Sequence, residues 1–188
     1  MDTIFTPKDP EQLRREMSLA GLDIDLYGQA GTKSIDELFA ETQNGECRLA
    51  WGGYTNILYR RVEVVRMDVY CDRHRLVEVE QRFSDGRKRH RILEASLAEK
   101  MKPGETQEEA VIRLIQEEAP VFSEDCCSVP AYKRSIEEQK TSGSYPGLAT
   151  RYVFHDYDWF LVGVNTSDDI TVKEPDKEVL YRWITVVP

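Results

Sequence analysis

Cysteine is scarce in this chain and poorly placed for cross-linking. The four residues are Cys47, Cys71, Cys126 and Cys127. No C-x-x-C pair is available for zinc, and neighbours such as Cys126 and Cys127 rarely bridge one another. Free thiols in a reducing compartment are therefore expected, with the cytoplasm as the location. Long apolar runs are missing as well. Nothing approaches the ~20 residues that cross a bilayer, so no membrane role is expected. Positive charge is the minority sign, with 25 Lys and Arg against 34 Asp and Glu and a net charge of −9. That balance disfavours a global hold on nucleic-acid backbones and leaves room only for a local basic stripe. Acids at Asp2, Asp9 and Glu11 leave no sign of a signal or transit peptide, since such segments are poor in acids. A mature organellar form would read the same way. There is no internal repeat and no low-complexity tract.

What is present suits one domain with an appendage. The chain has 188 residues and 40% hydrophobic content, enough for a single core and too little for two ordinary domains. Residues 1–57 read as an N-terminal helical extension packed on a main domain of residues 58–188. Asp9-Pro10-Glu11-Gln12 supplies an N-cap acid and a proline at the first helical position. The helix it opens runs to about Ala20, with Leu13 and Met17 on one face and Gly21 as its stop. Ser34-x-x-Glu37 is a capping box for a second, shorter helix with Ile35, Leu38 and Phe39 as its apolar side.

The β signal begins near Ile57. Val62, Val64 and Val69 lie in a β-branched run ending at Tyr70, and Leu76 to Phe83 alternates between apolar and polar residues. Ser84-Asp85-Gly86 is a turn, with Arg87 to Leu93 as the returning strand. A helix from about Glu105 to Ala119 is capped by Thr106-x-x-Glu109 and ended by Pro120. Further strands are expected near Ala131 to Gln139, Thr150 to Val162 and Val179 to Val187. The polar loop Thr141 to Gly147 separates the first two. Strands, a helix, more strands and a few extra helices make α+β the natural class.

The third helix carries the chemistry. Positions three and four apart on a helix are neighbours, so Arg113 lies beside Glu109 and Glu117. Position 114 lies beside Glu117 and Glu118. Carboxylates at all three of 114, 117 and 118 would converge on one edge and could hold Mg²⁺ or Mn²⁺ with oxygen ligands. Glu105 stands where it can brace Arg113. An adjacent Glu pair near a helix end is, on its own, more often a solvated face.

Read from Gly104, this stretch is GETQEEAVIRLIQEEAPV. It resembles the signature of the Nudix superfamily, whose members hydrolyse a nucleoside diphosphate linked to another group. The family pattern is Gly, five residues, Glu, seven residues, then Arg-Glu-aliphatic-x-Glu-Glu-x-Gly-aliphatic. It lies without a gap on Glu105, Arg113, Ile115, Glu117, Glu118 and Val121. Three positions depart: Glu99 replaces the opening Gly, Leu114 replaces the first Glu of the Arg-Glu pair, and Pro120 replaces the late Gly. In the family the Glu equivalent to Leu114 is a metal ligand or lies close to the catalytic water. Losing such a group costs on the order of several kcal/mol of transition-state stabilisation.

Two more stretches carry the resemblance. Lys140 to Tyr152 with the following His155, and Glu99 to Glu105, are similar to segments of a Nudix-like subgroup rich in atypical boxes. Tyr181-Arg182-Trp183 is similar to the closing strand of that fold. The resemblance covers residues 58 to 188. It implies an α/β/α sandwich with a mixed sheet, and catalytic roles for Glu105, Arg113, Glu117 and Glu118, with Glu117 and Glu118 as the metal ligands.

Several other residues invite a function. Arg82 and Arg87-Lys88-Arg89-His90-Arg91 form a basic cluster, of which Arg89 and Arg91 are candidates to grip a ligand's phosphate or an acidic partner. Alternation in a strand would split the cluster between two faces. Tyr145 sits in Ser-Tyr-Pro-Gly, a loop where a ring is hard to bury, and is a candidate ligand contact. His155 suits a base or ligand but equally a structural role. Asp156, Asp158, Asp168 and Asp169 lie late enough to add a metal carboxylate. Two classes of function follow. The first is a weakly active or inactive Nudix-like protein that binds a nucleotide-like small molecule or a protein partner. The second is a Mg²⁺- or Mn²⁺-dependent hydrolase of nucleoside diphosphate derivatives with a rearranged metal site. Leu114 favours the first.

Overall fold

The structure is a computed structural model that describes residues 2–29, 31–90, 95–122 and 128–186. Among these residues the chain is α+β, with three α-helices and a mostly antiparallel sheet. The elements begin with β1 (Thr3–Phe5), α1 (Pro10–Leu19), α2 (Ile35–Gln43), β2 (Arg48–Trp51), β3 (Leu58–Cys71) and β4 (His74–Phe83). They continue with β5 (Lys88–Arg89), β6 (Leu97–Lys100), α3 (Gln107–Glu118), β7 (Ala131–Thr141), β8 (Ala149–Leu161), β9 (Ile170–Lys173) and β10 (Lys177–Thr185). No described helix is long and apolar enough to cross a membrane. The chain divides into two compact units. One comprises Met1–Val64, Lys100–Gly104 and Ile136–Phe154, the other Val65–Glu99, Glu105–Ser135 and His155–Pro188.

In the first unit both expected helices form where their caps place them. Asp9 accepts a hydrogen bond from the Gln12 amide at 2.7 Å. Ser34 and Glu37 cap each other's backbone amides reciprocally, satisfying donors that a helix start leaves open. α1 packs on α2, and Leu13, Met17, Ile35 and Leu38 are buried. Gly45 follows α2 at φ 71. A Cβ there would stand 2.0 Å from the Pro103 ring, so both backbone and space demand glycine.

Two strands in this unit escaped the helical reading of residues 1–57. β1 pairs antiparallel with β2 (Thr3↔Trp51) and β2 with β3 (Arg48↔Arg61). Each is too short for a period of two to show. The Asp2 carboxylate ties the edge down, accepting from the Gly53 amide at 3.1 Å, Tyr59 Oη at 2.8 Å and Arg151 at 2.9 Å.

In the second unit the remainder of β3 turns into β4 through Asp72, at φ 52. β4 pairs with β10 from Lys177↔Phe83 to Thr185↔His74, and β9 adds to β10. The Gly86 turn forms as expected, but among the described residues the returning strand β5 holds two residues. Arg87 and His90 flank it outside the strand, and residues 91–93 of the expected strand, with Arg91, lie outside the described residues. β6 and β9 are short strands that were not anticipated. Val65, Met67, Val69, Leu76, Leu97, Val111, Leu114, Trp159 and Trp183 are buried. Phe122 meets Trp159 and Trp183 edge-on at 6.2 and 5.9 Å between ring centres.

Candidate functional site

α3 opens with the expected capping box. Thr106 Oγ1 accepts from the Glu109 amide at 3.2 Å, and Glu109 accepts from the Thr106 amide at 2.8 Å. The inward stripe is Ala110, Val111 and Leu114, the spacing of one helix face. Leu114 has 0% of its surface exposed.

Arg113, its side chain 13% exposed, is ringed by acids. Glu105 takes it in a two-pronged pair, Nε to Oε1 at 2.8 Å and Nη2 to Oε2 at 3.0 Å. Glu117 lies 3.2 Å from Nη1 and Glu99 3.9 Å. The Glu105 hydrogen bond, followed by its charge and those of Glu117 and Glu99, raises the Arg113 pKa against the opposing effect of burial. Planar guanidinium and carboxylate groups match in this geometry. The pair joins the loop ahead of α3 to the middle of the helix.

The three positions expected on one edge differ in exposure. Position 114 faces the core, Glu117 is half-exposed and engaged by Arg113, and Glu118 is half-buried. Two other departures from the family pattern have local explanations. Glu99 lies within strand β6, where the left-handed freedom of glycine has no use. Pro120 opens a 3-10 turn, Pro120–Phe122, that carries Phe122 into the core.

The remaining candidates scatter. Tyr145, expected to be hard to bury, is fully enclosed. The Arg60 guanidinium lies 4.9 Å from its ring centre and Tyr27 stacks at 6.2 Å, while Tyr27 Oη donates to the Pro146 carbonyl at 2.8 Å. These partners are remote in sequence, so the loop's polar composition gave no hint of them. Arg89 is exposed on β5. Four members of the basic cluster pair with acids of their own hairpin, and Arg91 lies outside the described residues. Glu80 gathers Arg82, Lys88 and His90, and Asp85 holds Arg87.

The late aspartates are similarly engaged. Asp156 pairs with Arg66 and Arg134, Asp158 with Lys133, and Asp169 with Arg182. Asp168 accepts from Asn165. Asp156 and the cations around it line a cleft of about 120 Å³ together with Asp68 and Tyr157. Cys47 and Cys71 are free and buried, and burial pushes the Cys47 thiol up to about 11. Cys126 and Cys127 lie outside the described residues.

A charged cluster in the first unit was missed entirely. Glu41 and Arg60 side chains are 6% and 5% exposed and meet at 3.5 Å. Lys33 donates to Glu41 at 2.6 Å, and Lys100 lies 3.9 Å away. Burial pushes the Glu41 pKa up, but the Lys33 hydrogen bond and the charges of Arg60 and Lys100 outweigh it, leaving the carboxyl below its ordinary value. Burial, followed by the Glu41 charge, raises the Tyr145 hydroxyl. The signal was readable. Arg60 shares strand parity with Leu58, Val62 and Val64, and Glu41 sits three residues beyond Leu38 on the apolar face of α2.

Among the described residues, no three His, Cys, Asp or Glu side chains gather as a metal-holding group. No family model and no curated protein matches the chain.

Proposed function

We propose that the chain is a Nudix-like binding protein in which the loop-helix unit has become a structural brace. It recognises a nucleotide-like small molecule or a protein partner without efficient hydrolysis. The observation that carries this reading is the division of labour on α3. Leu114 fills the core at the position where the family pattern needs an oxygen, and the Glu117 carboxylate is committed to Arg113 at 3.2 Å. A divalent ion would share Glu117 with Arg113 and would find no donor at 114. With no oxygen at 114, Glu117 and Glu118 leave a poorer donor set for Mg²⁺ or Mn²⁺ than the family pattern supplies. Arg113 and Glu105 supply rigidity, and rigid helices are what binding surfaces are built on.

The rival reading is a hydrolase with a rearranged metal site. One experiment separates the two. Dinucleotide and nucleotide-sugar substrates are incubated with the protein plus Mg²⁺ or Mn²⁺, and the same compounds are screened for thermal stabilisation. Product formation no faster than the protein-free blank, with a rise in melting temperature for some compounds, supports ligand binding. Metal-dependent turnover that disappears in Glu117→Gln would overturn the binding reading.

A further inference from the structure

Ser135 and His155 form a pair that the α3 site does not use. Ser135 Oγ lies 2.7 Å from His155 Nδ1, and Tyr132 Oη lies 3.0 Å from the same serine oxygen. Ser135 is solvent-exposed on β7, whereas His155 on β8 is only 6% exposed. The reacting oxygen is thus reachable while the imidazole beside it is held by packing. Tyr132 is held in turn by an edge-on contact with the Tyr157 ring at 5.5 Å, and Tyr157 donates to Gln107 at 3.3 Å.

The donor inventory allows one direction that activates the serine. In the tautomer with the imidazole proton on Nε2, a tyrosine hydroxyl donating to Ser135 Oγ leaves the serine its own proton to place on His155 Nδ1, 2.7 Å away. A hydroxyl whose proton rests on a fixed imidazole is the arrangement that activates serine as a nucleophile.

We propose that Ser135 is a nucleophile activated by His155 that accepts one acyl group from an activated ester. Oγ attacks the carbonyl carbon, and an Oγ–C bond forms as the C–O bond to the leaving aryloxide breaks. The serine proton passes to Nδ1 and then to solvent, and the aryloxide leaves with the bonding electron pair. Tyr132 is a positioning residue, acting through Ser135.

The probe is p-nitrophenyl acetate, with the acetylated residue located by peptide mass spectrometry so that lysine acylation is counted separately. Acetate is expected on Ser135 of the wild type and at no corresponding position in Ser135→Ala. His155→Gln should slow labelling of Ser135 about 100-fold and Tyr132→Phe less than about tenfold. An unlabelled Ser135, or equal labelling in His155→Gln, overturns the proposal. His155 is buried, so a second variant guards against misfolding. In Ser135→Cys the introduced thiol should react with iodoacetamide at least about tenfold faster than glutathione. An ordinary rate there would equally overturn it.

Discussion

The acidic end of α3 and the cluster around Arg60 hold similar side chains in opposite settings. On α3 the acids are conspicuous in sequence, yet Glu117 is half-exposed while Ala110, Val111 and Leu114 face the core. In the other cluster Arg60 and Glu41 are inconspicuous in sequence and nearly sealed from water. An exposed pair contributes little because water and salt screen it. A buried charge is costly to leave alone, so its partner becomes indispensable. Density of charge along the chain is therefore a poor guide to where charge matters here. Burial decides.

Substitutions can break or sharpen that contrast, and the largest effect belongs to the core. Leu114→Glu restores the family's acid on paper but places a carboxylate in the interior. It should destabilise the protein by about 5 kcal/mol and awaken no metal-dependent hydrolysis. A stable variant with new turnover would show that position 114 faces a site rather than the core. Next comes Glu41→Gln, which removes the countercharge of buried Arg60 and should cost about 3 to 5 kcal/mol in urea unfolding. Glu105→Gln breaks a partly buried two-pronged pair and should cost about 2 kcal/mol. Glu117→Gln should change stability by less than about 0.5 kcal/mol. If Glu117 proved as costly as Glu41, the contrast between the two regions would be lost.

Acid offers a subtler test. The folded Glu41 pKa lies below its ordinary value of 4.5, so the unfolded chain takes up the proton first. Its contribution is fully present above about pH 5 and is lost as pH falls through the depressed folded value. Urea midpoints measured from pH 6 to pH 3 should fall less steeply in Glu41→Gln than in the wild type. Parallel curves would remove Glu41 from the acid response.

Much of the fold was legible because its signals are local. Asp9, Ser34 and Thr106 each bond to a backbone amide three residues on, and so mark the helix starts unaided. The strands from Leu58 and His74 were legible through β-branched content and alternation. β1, β2, β6 and β9 span only three or four residues each, too few to show a period. At the candidate site, the spacing of Ala110, Val111 and Leu114 already pointed inward, but comparing α3 with a family pattern asks which residue stands at a position, not which way it faces. The enclosure of Tyr145 could not be read, because its cover comes from Tyr27 and Arg60. Nor could Ser135–His155, which depends on how β7 and β8 are aligned.

Manganese binding, followed by electron paramagnetic resonance on the wild type and on Glu117→Gln, tests the role of α3 most directly. Weak binding that is the same in both proteins is expected if Glu117 belongs to Arg113 and position 114 to the core. A stoichiometric site in the wild type that vanishes in Glu117→Gln would contradict it.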